Sequence, residues 1–417
     1  MYILSALLLI ASFFCAYRAA TYPGWKIFAL LGGANGLAVL AHNTNVLFAV
    51  VALVTLLFSR RILEKRDLVR CALAYALTSF IIVVAGYAIA IRTVGLKTPR
   101  GMYDWLTGYA QSGNWGGWEV SNLPKAVIGA GRALIGGHFA FALDPLRDLA
   151  TKSFPGKSLR EELFLVRHFD QGLAGFLLTL VVVAALCLLL SATGWLRYRR
   201  LGEREKTLAV LCLSWLMPYT LFFTWWEPAN IEFWIVPWIP LAVLLALPLS
   251  TYEPGIQRRF VLGSVFLLVS ILFTVNLIGS VWPQHDPEDD YWRVRSDWYA
   301  RNTTPSELVI SYGPLWSRYL RYFGQAKVID VEEDVFKKHG DTKGALVDLR
   351  RRMDTVPHTT RVLVSSEAFY PASDKFSCCP SNEQREQASA LRNSFLGHTR
   401  IVHRGTLERV RILDSDK

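Results

Sequence analysis

The lysines and arginines of this chain fall in short clusters between long, nearly charge-free hydrophobic runs, and every second connection between runs has none of them. That pattern leaves few folds open. In lipid every backbone N–H and C=O must be paired inside the segment, so each run must form a helix. A span needs about 17–25 apolar residues. Eight windows qualify: Tyr2–Ala20, Trp25–Ala41, Thr44–Phe58, Cys71–Ile91, Leu173–Trp195, Thr207–Trp226, Phe233–Leu249 and Phe260–Trp282. The second and third are short and nearly touch, which reads as a helical hairpin turning at His42-Asn43-Thr44-Asn45.

Charge asymmetry orients the spans, because cytoplasmic loops are enriched in Lys and Arg. Arg18 and Lys26 flank the first connection. Arg60, Arg61, Lys65, Arg66 and Arg70 mark the third, Arg197, Arg199, Arg200, Arg204 and Lys206 the fifth, and Arg258 and Arg259 the seventh. The second connection, His42–Asn45, and the sixth, Glu227–Glu232, have neither Lys nor Arg. The odd connections are therefore expected in the cytoplasm, and the segment after Ile91 and everything after Trp282 outside. Trp25, Trp195, Trp225, Trp226, Trp234 and Trp282 sit at span ends, as interfacial aromatics do. This topology sets the N-terminus outside. No positive segment precedes the first run, so a cleaved signal peptide is not expected, and further spans upstream are.

Of the 417 residues, 52% are hydrophobic and only 19% charged, against about a quarter in soluble proteins. The net charge of +11 does not imply nucleic acid, since the cations border the apolar runs, where they meet anionic membrane lipids. No cysteine spacing suits a metal. Cys15, Cys71, Cys187 and Cys212 lie in apolar runs, and only the adjacent Cys378 and Cys379 lie in a polar one, as a vicinal or intermolecular disulfide or as two free thiols.

The expected fold class is a polytopic α-helical membrane protein of about eight transmembrane helices with a C-terminal extracytoplasmic α/β domain. Residues 1–91 hold the first four spans, 92–172 an outer segment, 173–282 the last four spans, and 283–417 the α/β domain. In the outer segment Leu123–Leu143 reads as a helix on the outer surface or re-entrant, with Lys125 and Arg132 seven apart on one face. After an acidic linker, Asp286–Asp290, strands are expected at Leu308–Tyr312, Lys327–Val331, Arg361–Ser365, Thr399–His403 and Arg409–Leu413. Helices are expected at Pro314–Phe323, Lys343–Met353 and Glu383–Phe395. That order implies a largely parallel sheet. It contains no glycine-rich phosphate loop.

Two outer turns carry the best chemistry. His42, Asn43 and Asn45 can donate hydrogen bonds to a phosphate or sugar, and the Asn and Thr residues also suit helix capping. In Trp225-Trp226-Glu227-Pro228-Ala229-Asn230-Ile231-Glu232-Phe233-Trp234, two acids lie among tryptophans. Carboxylates at an apolar interface tend to have raised pKa values, which suits a general base, and indoles stack on sugar faces. An aromatic anchor with a solvated turn is the alternative. Asp104 is a further acid candidate, and His138, Lys125 and Arg132 are further binding candidates.

Gly33–Leu57, with Gly36-Leu37-Ala38-Val39-Leu40-Ala41-His42 inside it, resembles a hairpin of the GT-C membrane glycosyltransferases, the superfamily of the protein O-mannosyltransferases and lipid A aminoarabinose transferases. Glu232–Pro240 is similar to their late aromatic-proline helix, and Trp298–Ile310 to the start of their outer domain. The motifs are loose but cover most of the chain. The resemblance implies a polyprenyl-phosphate-linked sugar donor, a lipid, glycan or protein acceptor, hexosyl or pentosyl transfer on the extracytoplasmic face of a bacterial inner membrane, and no cofactor. His42 matches the position where many relatives place a Lys or His near the lipid phosphate. The family's acid lies in a first outer loop that has no counterpart here, so either the catalytic base is absent or another outer acid, such as Glu227, Glu232 or Asp104, acts. The alternatives are a non-catalytic protein whose outer domain binds a glycan or partner, and an O-antigen ligase-like or polymerase-like enzyme. A transporter is disfavoured because no charged residue lies mid-span.

Overall fold

The computed structural model describes residues 2–95, 116–135, 173–195, 197–282, 290–336, 341–357, 359–369, 382–404 and 409–413, with isolated positions between them. These residues are mostly helical. The helices are α1 (Tyr2–Thr21), α2 (Trp25–Ala41), a 3-10 turn Asn43–Phe48 running into α3 (Ala49–Ser59), α4 (Lys65–Val94), α5 (Asn122–Ile135), α6 (Leu173–Trp195), α7 (Glu203–Trp226), α8 (Ile231–Ala246) and α9 (Ile256–Asn276). Five stretches are long and apolar enough to cross a membrane: Ile3–Thr21, Lys65–Val94, Glu203–Trp226, Ile231–Thr251 and Ile256–Asn276. Trp25–Ala41, Asn43–Ser59 and Leu177–Ser191 are apolar but shorter. All eight expected windows are therefore helical, and five of these helices are long and apolar enough to cross a membrane. In α4 and α9 only 6% of the apolar window is buried, so these helices turn aliphatic side chains outward. This is the make-up of a helical membrane protein.

The chain forms two compact units, Met1–Gly136 with Leu177–Val275, and Gly137–Phe176 with Asn276–Lys417. The helical unit packs around Leu9, Phe28, Leu31, Phe48, Leu211, Trp215 and Tyr219, all fully buried or nearly so. Helix α2 lies chiefly against α4 and α1. Glycine permits the first approach: a Cβ on Gly32 would collide with Thr78 Oγ1 and the Tyr75 carbonyl oxygen. A Cβ on Gly36 would stand 3.1 Å from the Ser79 carbonyl oxygen. Small residues four apart are a common way for membrane helices to meet, since lipid gives no hydrophobic drive to bring them together.

A polar network crosses this interior. Asn45 Nδ2 donates to Ser5 Oγ at 2.7 Å and to the Ala38 carbonyl at 2.8 Å. Asn35 Nδ2 donates to the Asn45 carbonyl at 3.2 Å, and Tyr75 donates to Asn35 Oδ1 at 2.7 Å. Each buried amide is thus paired, as a dry interior demands.

The unit has two unlike ends. At one, the Ser59 hydroxyl reaches the Ala19 carbonyl, Arg197 binds the Thr251 carbonyl at 3.2 Å and covers the Tyr252 ring, and Tyr198 bonds the Leu244 carbonyl. The basic clusters belong to the helix termini gathered here. At the other, Tyr87 on α4 donates to Asn43 Oδ1 at 2.6 Å, and the tryptophan-rich turn between α7 and α8 lies close to His42.

The second unit contains α10 (Tyr291–Asn302), β1 (Leu308–Ser311), α11 (Pro314–Phe323), β2 (Lys327–Asp330), α12 (Thr342–Asp354), β3 (Val362–Ser365), α13 (Asn382–Phe395), β4 (Thr399–Arg404) and β5 (Arg409–Leu413). Strand order is β2-β1-β3-β5-β4. The first three strands are parallel, with Leu308 opposite Lys327 and Val362. The expectation of a largely parallel sheet needs correction, because β5 pairs antiparallel with both β3 and β4. The final two strands are a hairpin added to the sheet edge, so only the first half obeys β-α-β logic. Helix α10 was not expected. It follows the Asp290 N-cap, whose carboxylate accepts from the Trp292 and Arg293 N–H groups, and it buries Tyr291, Trp292 and Tyr299. Cys378 and Cys379 lie outside the described residues.

Candidate functional site

His42 ends α2 in extended backbone, with its own N–H donated to the Ala38 carbonyl. The residues that follow it divide in role. Asn45 is 1% exposed and fixed in the interior network, where Tyr219 on α7 also donates to its Oδ1 at 3.2 Å. It is a structural residue, and the expectation that it faces a ligand is corrected by its burial. Asn43 is exposed, with its amide oxygen taken by Tyr87. The half-buried His42 ring bonds Thr44 Oγ1 through Nδ1 at 2.7 Å and meets the Phe233 ring edge-on at 6.0 Å. Burial pushes the imidazole below its ordinary pKa, while the nearby Glu232 carboxylate pulls it upward. The two residues therefore share one electrostatic environment, which sequence alone did not establish.

The Glu227–Glu232 turn is built tightly. Glu227 caps α7, and its Oε2 accepts from Asn230 Nδ2 at 2.9 Å. Asn230 caps α8 in turn, its Oδ1 accepting from the Glu232 N–H at 3.1 Å. That places the exposed Glu232 in the first turn of α8, where the helix dipole favours a carboxylate. Trp234, expected as a sugar platform, is 4% exposed and donates Nε1 to the Pro228 carbonyl at 2.8 Å. Its role is to lock the turn. Trp226 is half-buried and stacks on Phe222 at 5.7 Å.

Two supports were not foreseen. Gly116 and Gly117 donate their N–H groups to the carbonyls of Trp226 and Trp225, each at 3.1 Å. Gly116 has φ of 82°, and a Cβ there would press on the Trp225 ring, so only glycine fits easily. Helix α5 then packs on α7 and α8, with Trp238 Nε1 donating to the Ala130 carbonyl at 2.9 Å. A Cβ on Gly129 would collide with the Pro228 carbonyl and lie 2.7 Å from Trp234 Nε1. The small-residue run Gly129-Ala130-Gly131 was the one sequence signal for this contact. Lys125 is paired with Glu119 at 3.6 Å, and Arg132 is half-buried on the same helix. Asp104 and His138 lie outside the described residues.

His42 and the Glu227–Glu232 turn thus lie at one end of the helical unit, joined through Phe233, with α5 packed on the turn. Among the described residues no group of His, Cys, Asp and Glu could hold a metal ion. No family model, no curated protein and no solved structure matches this chain.

Proposed function

We propose that the helical unit transfers a hexosyl or pentosyl group from a polyprenyl-phosphate-linked donor to a hydroxyl of a lipid, glycan or protein. One observation carries this reading: His42 meets Phe233 edge-on, and the neighbouring Glu232 carboxylate acts electrostatically on its imidazole, at the end of the unit remote from the basic clusters. By the charge rule that end is extracytoplasmic, the eight apolar helices all serve as spans, and the C-terminal domain lies on the same outer side.

The chemistry follows from the residue types. The Glu232 carboxylate accepts the acceptor's hydroxyl proton as that oxygen attacks the anomeric carbon. The bond from the anomeric carbon to the phosphate oxygen breaks, its electron pair leaves with the polyprenyl phosphate, and the configuration inverts. His42, protonated when a phosphate approaches, holds that leaving group. Trp226 and Phe222 offer a face to the sugar. Glu227, held by Asn230, is a second carboxylate for sugar hydroxyls.

The binding half is testable with the purified full chain. A polyprenyl monophosphate is expected to raise the unfolding temperature where the uncharged polyprenol does not, and His42→Ala to abolish that rise. An equal effect of both lipids would remove the phosphate role from His42.

A further inference from the structure

Helix α5 presents three unlike faces. Asn122, Ala126 and Gly129 are buried against the helical unit. Lys125 and Arg132 lie along one flank of that buried face. A further arc is apolar yet exposed: Leu123 is 64% and Val127 73% accessible, and Val120, two residues before the helix, 89%. Four turns of ordinary surface helix would not carry such an arc beside two cations. At about 1.5 Å per residue, a helix of this length reaches about 21 Å, short of the roughly 30 Å apolar core of a bilayer.

We propose that α5 is an interfacial membrane helix whose Leu123–Val127 arc lies among phospholipid acyl chains, with Lys125 and Arg132 at headgroup depth. Three observations choose lipid as the occupant. The two helices on which α5 rests also turn apolar side chains outward, with Met217 and Leu221 of α7 and Ile235 of α8 all exposed. The flanking cations suit phosphate headgroups and have apolar stems that reach them. The preceding residues add an exposed indole, Trp118, a side chain favoured at the bilayer surface. One consequence concerns the site: because α5 backs directly onto Pro228 and Trp234, the acidic turn stands one helix away from lipid. This placement holds whether or not the unit transfers a sugar.

The test uses the full chain in phospholipid nanodiscs, which leave both membrane faces open to water. Nitroxide labels go on Leu123→Cys, Val127→Cys and the exposed Ser121→Cys, read against the unsubstituted chain labelled in parallel. All three positions are exposed, so the substitutions leave the fold intact. Power saturation is then measured with oxygen, which concentrates in lipid, and with a charged nickel chelate, which stays in water. Labels at 123 and 127 are expected to be reached by oxygen and not by the chelate, and the label at 121 by the chelate. Chelate access at 127 equal to that at 121 would mean water, and exclusion of both reagents would mean a protein surface. Either result overturns the proposal.

Discussion

The Tyr219 hydroxyl on α7 donates to Asn45 Oδ1 at 3.2 Å, tying the turn beside His42 to the far half of the helical unit. Asn45 makes two further side-chain bonds, to Ser5 and Ala38, so one amide joins α1, α2 and α7. Hydrogen bonds between membrane helices are worth about 0.6 kcal/mol on average and up to about 1.7. Asn45→Ala breaks three and leaves Tyr219 without this acceptor, so a loss of about 2–4 kcal/mol is expected. Thermal unfolding in detergent reads it. An unchanged midpoint would mean that the network does not hold the helices together.

Gly32 and Gly33 are neighbours in sequence with opposite expectations. A methyl on Gly32 meets the α4 backbone, whereas one on Gly33 finds its nearest contact, Ile82 Cδ1, at 3.7 Å. Gly32→Ala is expected to lower stability by about 1–3 kcal/mol through overpacking. Gly33→Ala should be neutral or slightly stabilising, since alanine loses less chain entropy in a helix. Comparing the two melting midpoints tests the α2–α4 packing, and equal effects would refute it.

Burial lowers the His42 pKa, so its effect on stability has a definite sign. The depressed group contributes stability above its unfolded pKa of about 6.5, and that contribution is lost as pH falls through the folded value. His42→Gln is expected to flatten this part of the stability profile. For polyprenyl monophosphate the direction reverses: acidification charges the imidazole, so the affinity advantage of the native chain over His42→Gln should grow from pH 8 toward pH 6. An advantage independent of pH would exclude imidazole protonation from binding.

Asp330, at the end of β2, is 1% exposed, and burial pushes its carboxyl above the usual range. A raised carboxyl gives stability below its unfolded pKa, near about 3.9, and loses it as pH rises through the folded value. Asp330 Oδ1 accepts from the Glu332 N–H at 3.0 Å and the Glu333 N–H at 3.3 Å, which an amide oxygen also does. Asp330→Asn should therefore slow hydrogen exchange in β1–β3 of the full chain at pH 7.5, with the difference vanishing near pH 4. Faster exchange at pH 7.5 would show that the charge is compensated.

Hydrophobic run length and charge placement located the helices, because a helix in lipid has no other way to pair its backbone. The hairpin at His42 and the strands of the second unit were legible for similarly local reasons: a polar break between apolar runs, and short β-branched runs between polar ones. Tertiary facts were not. Nothing adjacent to Asn45 distinguishes it from Asn43, yet one is buried by α7 and the other is exposed. Trp234 and Trp226 look alike in sequence, and only the Pro228 carbonyl marks Trp234 as a turn lock. Helix α10 escaped because its buried residues are aromatic and polar, with Arg295 and Ser296 among them. The antiparallel hairpin β4–β5 depends on pairing with β3, which no periodicity encodes.

The most direct test of sugar transfer is the glycan and glycolipid profile of a deletion strain complemented with the native chain or with Glu232→Gln. Loss of a general base costs about 10²–10⁴-fold in rate. The deletion is expected to remove one glycan modification, the native chain to restore it, and Glu232→Gln to leave it absent at equal protein abundance. An unaltered profile in the deletion, or full restoration by Glu232→Gln, would contradict the account.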